Sequence, residues 1–253
     1  RYPFYRTALE SLFFDLGYTE KYLYSETAGS VTSDKELKNF IFSAEWNNAD
    51  SYLGGGYTQI KPSVTFGDLD LSKVASSLSS DNSGARTNGS FEKLTLDITR
   101  IQKVKGNLNL HLFGTSQFAS KNLDSSEKLS LGGPSGIRAY PVGEATGDEG
   151  YRYSIDAKYN INAPKHFDSL TAIAFYDYGM VTQFTDLTNL SVSNNTYSLE
   201  GYGIGFEATK GENISIKASL AKAIGGNPGA VSGKNTDGLA DDKQLFISIS
   251  AKF

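Results

Sequence analysis

The chain has 253 residues and a formal net charge of -4, with no cysteine, one methionine and one tryptophan. Without cysteine it forms neither a disulfide scaffold nor a cysteine-ligated metal site. It has no dense Lys/Arg block and no RNA-type aromatic motif, so we expect no nucleic-acid partner. No apolar run approaches the ~18 residues of a membrane helix. Because no charged-then-apolar leader follows Arg1, we expect a processed or truncated start.

Alternation of apolar and polar residues is the main feature of the chain. In 151–161 every odd position is apolar or aromatic and every even position is polar, which is typical of a long β-strand. No convincing amphipathic helix, short-period repeat or domain boundary interrupts the pattern, so 1–253 is predicted to be one all-β unit. About ten strands are predicted, at roughly 7–23, 36–47, 55–67, 91–102, 107–119, 151–161, 170–182, 197–209, 213–223 and 243–253.

The connections between these segments are alternately long and short. The long ones are 24–35, 68–90, 120–150, 183–196 and 224–242, and the short ones are 48–54, 103–106, 162–169 and 210–212. Antiparallel strands that cross a bilayer sort their connections in this way, with tight turns on one side. The strand lengths also match the ~9–11 residues that a tilted strand needs to cross hydrocarbon. We therefore predict a transmembrane antiparallel β-barrel in the bacterial outer membrane, with both termini in the periplasm.

The chemistry of the two strand faces also favours a membrane barrel. A polar set such as Arg152, Asp156 and Lys158 could not fill a small dry core without unpaired charge, so it is predicted to line a lumen while the apolar set faces lipid. The sequence ends with Phe253 on the apolar face of its last strand, which resembles the signal by which outer-membrane barrels are recognised for assembly. We expect contacts with outer-membrane lipid and lipopolysaccharide and, through the last strand, with the barrel-assembly machinery.

The segment 120–150 and its surroundings carry the most specific motifs. These are Gln117, Ser126–Glu127, Leu131–Gly132–Gly133, Ile137–Arg138–Ala139–Tyr140, Gly147–Asp148 and Phe175–Tyr176–Asp177. Together with the opening RYPFYR and the alternation GYGIGF, they make the chain resemble the two-partner secretion transporters (TpsB type, haemolysin-activator family), part of the superfamily of outer-membrane barrels with POTRA domains. The chain departs from that pattern at Ala139, where glycine is usual, and in its length.

The resemblance implies a particular architecture. Ten strands without a POTRA region imply the C-terminal portion of a sixteen-stranded barrel, while a naturally short relative stays open. The signature loop is expected to fold into the lumen, where Arg138 meets Asp177 beside Phe175 and Tyr140. The alternative is a loop that only covers the barrel mouth and leaves Arg138 solvated. The other positions assigned to this site are Gly132, Gly133, Ile137, Ala139, Gly147 and Asp148 in the loop, and Gly201, Gly203 and Gly205 as a groove for it.

Other candidate sites are weak. His111 and His166 are isolated, which does not favour a metal site or a triad. The segment 234–243 lacks the ligand spacing of a calcium loop, and Asp68 and Asp70 have no neighbouring acid–base group. We predict no enzymatic activity, no metal and no cofactor.

The predicted function follows from the family resemblance. It is an outer-membrane pore that secretes a partner protein, a large β-helical adhesin or cytolysin, from periplasm to cell surface without nucleotide. Two alternatives stay open at this point: an outer-membrane assembly factor of the same superfamily, and a passive porin.

Overall fold

The computed structural model describes residues 1–252; Phe253, with its predicted assembly signal, lies outside them. The chain forms thirteen strands: β1 (Tyr2–Arg6), β2 (Glu10–Thr27), β3 (Ser30–Asp50), β4 (Gly56–Asp70), β5 (Gly89–Lys105), β6 (Leu108–Ala119), β7 (Leu129–Ser130), β8 (Thr146–Gly147), β9 (Glu149–Ile161), β10 (Ser169–Thr182), β11 (Thr196–Lys210), β12 (Ile214–Ala223) and β13 (Lys243–Ala251). All except β7 and β8 belong to one eleven-stranded sheet. The all-β prediction is confirmed.

The strands of this sheet lie side by side in the order of the chain, and each neighbouring pair is antiparallel. Asp177 of β10 lies opposite Ser154 of β9 and opposite Gly201 of β11. Within residues 1–252, β1 and β13 do not pair with each other. The sheet is therefore open along these two edges.

Near the start of the chain, one strand was missed and one predicted connection is wrong. Tyr2–Arg6 form β1, which pairs with the beginning of β2 and brings the sheet to eleven strands, where about ten were predicted. The predicted long connection 24–35 is instead strand, with β2 and β3 joined at a turn of Ala28 and Gly29, whose φ angles are 51° and 78°. Positive φ at both turn residues matches the twist of a tight hairpin. Both faces of this hairpin end are exposed, so it lacks the apolar–polar alternation that marks a half-buried strand.

The predicted absence of helices is also corrected. Helix α1 (Ala75–Ser83) lies in the connection 71–88. Its sequence, ASSLSSDNS, contains a single large apolar residue, Leu78, so no helical period could be read from it. Leu78 packs against a buried cluster on the sheet. None of the helices within residues 1–252 combines the length and the apolar composition needed to cross a membrane.

The sheet has two chemically distinct faces. Its outer face carries exposed large apolar side chains on successive strands, such as Tyr18 and Phe40, whose ring centroids are 4.8 Å apart. The opposite face, called the inner face here, carries Asp177 and Phe175, which are buried under the connection 120–148. This division matches the alternation along β10, where the odd positions from Ile173 to Val181 are buried.

The connections are sorted between the two edges of the sheet where the strands end. One edge has the long connections 71–88, 120–148, 183–195 and 224–242, and the other has the short ones 51–55, 106–107, 162–168 and 211–213. The tight turn 28–29 is the exception at the first edge. The long connections come together there, above the inner face.

Candidate functional site

The connection 120–148 is the candidate site, and it has three parts. The base (120–128) follows β6, the neck is the ladder of β7 with β8, and the tip (131–145) lies between those two strands. Gly147 of the neck lies against β10, because a Cβ there would meet the carbonyl oxygen of Thr182. The neck ties the two ends of the tip together, so the tip is a closed unit.

The backbone of the tip requires both predicted glycines. The amide of Ile137 donates to the carbonyl of Leu131 at 2.7 Å and folds the tip back on itself. Gly133 has φ of 108°, a conformation that favours glycine. A Cβ on Gly132 would meet the carbonyl oxygen of Pro141. The Leu-Gly-Gly motif is thus needed for the shape of the tip.

Arg138 projects from the tip into a group of oxygen atoms on β9 and β10. Its Nε and its backbone amide each donate to Oδ2 of Asp177 at 2.9 Å, and its Nη2 donates to Oδ1 at 2.6 Å. Nη2 also donates to Asp156 at 2.6 Å and to Ser154 at 2.7 Å. Asp177 is 0% exposed. The structure therefore brings Arg138 and Asp177 together as a bidentate pair and does not leave Arg138 solvated.

Asp156 and Ser154 were not predicted as partners of Arg138. The alternation in 151–161 places both on the polar face of β9, but which cation they meet depends on the pairing of β9 with β10. Beneath the arginine, the ring centroid of Phe175 lies 3.5 Å from Cζ of Arg138, a cation–π contact. One cation thus sits between two carboxylates over an aromatic ring.

The base carries the opposite arrangement. Oε1 of Glu127 accepts hydrogen bonds from Lys21 at 2.6 Å and from Asn39 at 3.1 Å, and Oε2 accepts one from Lys93 at 2.6 Å. Burial acts to raise the pKa of Glu127, but the bonds from Lys21 and Lys93 outweigh it and hold that pKa below its ordinary value. The motif singled out Glu127, but nothing in the sequence indicated these partners.

A second acidic residue of the base, Asp124, is also paired with a lysine of the sheet. Asp124 forms an ion pair with Lys35 of β3 and accepts a bond from the backbone amide of Ser126 at 3.1 Å. Burial acts to raise its pKa, and the bond from Lys35 outweighs that effect, so the pKa of Asp124 is lowered. Both carboxylates of the base are therefore held in the charged form by lysines of the sheet.

Asp148 joins the loop to a neighbouring connection. Its fully buried carboxylate accepts backbone amides from Leu123 and Thr185, each at 3.0 Å, and lies 2.8 Å from Nζ of Lys128. The side-chain amide of Gln117 donates to the backbone carbonyl of Asp148 at 2.9 Å. The predicted Gln117 and Gly147–Asp148 motifs thus meet at the end of the loop, where β9 begins.

The three glycines predicted as a groove behave differently from one another. A Cβ on Gly201 would overlap the Cβ of Ala139, so the tip lies directly against β11 there. A Cβ on Gly203 would meet the ring of Phe175, and Gly205 lines an open cavity. Of the three, the structure brings Gly201 alone directly against the loop.

Tyr140 is buried in the tip, yet its hydroxyl has no hydrogen-bond partner within the described chain. Burial, with the nearby charges of Glu144 and Glu200, raises the pKa of Tyr140 to about 12, so the hydroxyl keeps its proton. Glu144 accepts bonds from the side chain of Asn227 at 2.8 Å and from the backbone amide of Thr236 at 2.7 Å. The tip is thereby tied to the connection 224–242.

An open cavity of about 680 Å³ lies beside the tip on the inner face. Its charged lining mixes both signs: Asp97, Arg138, Arg152, Asp156, Lys158, Glu207 and Lys217. Within residues 1–252, no cluster of metal-ligating side chains is present. The cavity lining therefore carries charges of both signs.

Comparison with known proteins identifies relatives of this chain. The sequence model of the haemolysin secretion/activation proteins ShlB/FhaC/HecB matches residues 4–208. The heme/hemopexin transporter protein HuxB of Haemophilus influenzae is 26% identical over 217 residues, which are 82% of this chain and 36% of that protein. HuxB of strain 86-028NP is 32% identical over 139 residues, covering 54% and 23%.

The fold has a counterpart among solved structures. CdiB from Escherichia coli aligns with a TM-score of 0.77 at 17% identity, covering 98% of this chain and 43% of that one. That likeness shows a shared fold. The chain spans about a third or less of the curated relatives that it matches.

Proposed function

Because the chain belongs to the haemolysin secretion/activation family ShlB/FhaC/HecB, we propose that it is the barrel portion of an outer-membrane transporter that secretes a partner protein. Transporters of this family are outer-membrane barrels and not enzymes. The partner crosses from the periplasm to the cell surface without nucleotide. The connection 120–148 is the plug of the pore, and Arg138 is its latch to the wall.

The contact of Arg138 with Asp177 and Asp156 carries this proposal. A loop that merely covered the mouth would leave its arginine in solvent, where an ion pair contributes little. Here the arginine is placed on the inner face and shares two carboxylates of adjacent strands. Such a contact holds the loop over the inner face while remaining a non-covalent contact that can break.

The cavity beside the tip supports passage of an extended polypeptide. Its lining offers both positive and negative groups and several hydroxyls, so a passing chain meets partners for its polar groups without one dominant binding site. HuxB is named a heme/hemopexin transporter. For this chain we propose the broader class, a secreted protein partner.

The surroundings of the barrel follow from its outer face. The exposed apolar side chains of the outer face contact outer-membrane lipid and lipopolysaccharide, and the last strand is the element that the barrel-assembly machinery recognises. Both termini and the short connections face the periplasm. Protease added to intact cells is expected to cut within 224–242 and to spare 211–213; cleavage at 211–213 instead would contradict this orientation.

A reversible cross-link tests the plug. The chain has no cysteine, and a Cβ on Gly201 would lie 2.4 Å from that of Ala139. A disulfide needs a Cβ separation of ~3.5–4.5 Å, so the tip has to move about 1 Å away from β11 for the bond to form, and loss of free thiols verifies that it has formed. Ala139→Cys with Gly201→Cys should block secretion when oxidised and recover it on reduction. The same variant in both redox states is compared, which cancels the effect of the substitutions, and each single variant controls for the oxidant. Equal secretion in both states, with the cross-link shown to form, would mean that secretion does not require the tip to leave β11.

A further inference from the structure

The base of the loop is held by a cluster that the latch does not include. Glu127 contacts β2, β3 and β5 through Lys21, Asn39 and Lys93. Arg138 contacts β9 and β10. The two contact sets share no residue and lie on different strands, with β6 between them in the sheet.

The carboxylate of Glu127 is almost fully engaged. Its side chain is 5% exposed, and each of its oxygen atoms accepts a short bond from a different lysine. A buried carboxylate of this kind would be strongly unfavourable without those cations. Lys21 and Lys93 therefore hold the Glu127 part of the base on the sheet, as Lys35 holds Asp124.

The neck separates this cluster from the tip mechanically. Leu129 pairs with Gly147 and Ser130 with Thr146, and the tip beyond them closes on its own backbone bonds. Displacement of the tip therefore need not pull on the base. Contacts that share no partners usually act additively.

We propose that Glu127 is a second positioning residue of the loop, which fixes the base across β2, β3 and β5 independently of Arg138 at the tip. Release of the latch alone then opens only part of the pore, and the base keeps covering the inner face near β2 to β5. This inference rests on the proposed plug function for its transport meaning, but the anchor itself can be tested without any secreted partner.

Hydrogen exchange of the whole transporter in outer-membrane vesicles separates the two anchors. Glu127→Gln keeps the size of the side chain and leaves the backbone carbonyl of Glu127 bonded to Gln117. We expect amides 123 and 127 of the base to exchange at least tenfold faster, as when roughly 1.4 kcal/mol or more is lost, while amides 137 and 140 of the tip keep their protection. Arg138→Ala should do the reverse.

A matched control and a rescue decide between an anchor and a general loss of structure. Glu20→Gln removes the neighbouring carboxylate of β2, whose nearest cation is Lys38 at 3.7 Å, and should leave all these amides unchanged. Because Lys21 would still face a lysine at position 127, the exchange of charges has to include both lysines: Glu127→Lys with Lys21→Glu and Lys93→Glu should restore part of the protection that Glu127→Lys alone removes. If Glu127→Gln reduces the yield of assembled barrel, Lys93→Gln removes the same contact from the sheet side.

Three outcomes would overturn the anchor: opening of tip and base together in either variant, a Glu127→Gln profile equal to that of Glu20→Gln, or no restoration by the triple exchange. Single-channel conductance adds a second measure, with a larger rise in the Glu127→Gln, Arg138→Ala double variant than in either single one. Failure of the unmodified transporter to secrete any partner would instead refute the proposed function and leave the exchange result standing.

Discussion

The tip and the base of the connection 120–148 are held by opposite arrangements of charge. At the tip one arginine sits between two carboxylates, Asp156 and Asp177. At the base one carboxylate, Glu127, sits between two lysines. Arg138 placed at the base would meet lysines, and Glu127 placed at the tip would meet aspartates. Charge sign, in addition to apolar packing, therefore specifies which part of the loop lies on which part of the sheet.

The ends also differ in how deeply their partners are buried. Asp177 has a side-chain exposure of 1%, whereas Lys21 at the base is 40% exposed. Because solvent screens exposed ion pairs and scarcely screens buried ones, the tip should be the more sensitive end.

Arg138→Ala should release the tip, raise the resting conductance and impair secretion while leaving the barrel assembled. Loss of one partner from a buried charged cluster costs about 3–5 kcal/mol, here because Asp177 and Asp156 would face each other without a cation. Arg138→Lys, which keeps the charge but not the bidentate geometry, should fall between. Normal conductance and secretion in Arg138→Ala would mean that the loop only covers the barrel mouth and that Arg138 is not a latch.

The second carboxylate changes the expected result of a charge exchange. Arg138→Asp with Asp177→Arg should recover little, because Asp156 still faces the new aspartate and the backbone amide of residue 138 loses its acceptor. Adding Asp156→Asn should improve the recovery. Full recovery by the exchange alone, measured as secretion, would show that Asp156 plays no part in the latch.

Gly201→Val should push the tip away from β11, since even a Cβ at this position overlaps that of Ala139. Overpacking of this kind costs about 1–3 kcal/mol. The measurement is protease cleavage within the tip together with conductance, both of which should rise. Gly17→Ala is the matched strand control, because its Cβ would lie 3.7 Å from that of Ile41 in ordinary contact.

The two lysines of the base should not be equivalent. Lys93→Met removes a partner whose side chain is 13% exposed and should weaken the base by about 1.5–3 kcal/mol, as for a hydrogen bond to a charged group. Lys21→Met should cost under ~1 kcal/mol. Hydrogen exchange at amides 123 and 127 measures which of the two variants weakens the base more. A larger effect of Lys21→Met would contradict the expectation that the more buried lysine contributes more.

Tyr140→Phe should have a small effect of the opposite sign. The tyrosine hydroxyl is buried and has no partner among residues 1–252, so its removal should stabilise the docked tip by about 1 kcal/mol. The expected result is slower exchange at amides 137 and 140, together with lower resting conductance. Faster exchange would mean that the hydroxyl finds a partner in the membrane-embedded protein.

The strands and the latch differ in how far they could be foreseen. Alternation in 151–161 and 170–182 located β9 and β10 within a few residues and placed Asp177 and Phe175 on the same face, since the strand period is fixed by backbone geometry. The meeting of Arg138 with Asp177 required family motifs as well. For Asp156, the second carboxylate that Arg138 contacts, the sequence predicted only a position on the polar face of β9.

The base could not be foreseen for a different reason. Lys21 and Glu127 are 106 residues apart in sequence, and their contact depends on how the loop folds back over several strands, which leaves no local pattern. The α1 helix and the 28–29 turn were missed because neither has a buried face that would impose a period on its sequence.

The hairpin of β2 and β3 has a mechanical consequence. These strands have 18 and 21 residues, well beyond the ~9–11 that cross hydrocarbon, and their pairing runs to the turn with one irregularity near Ser25. The turn lies about 23 Å beyond Lys21 at ~3.3 Å per residue. The hairpin is therefore a long, paired extension of the sheet. A force applied at its turn is transmitted along two paired strands to Lys21 and Lys35, which bind the base of the loop.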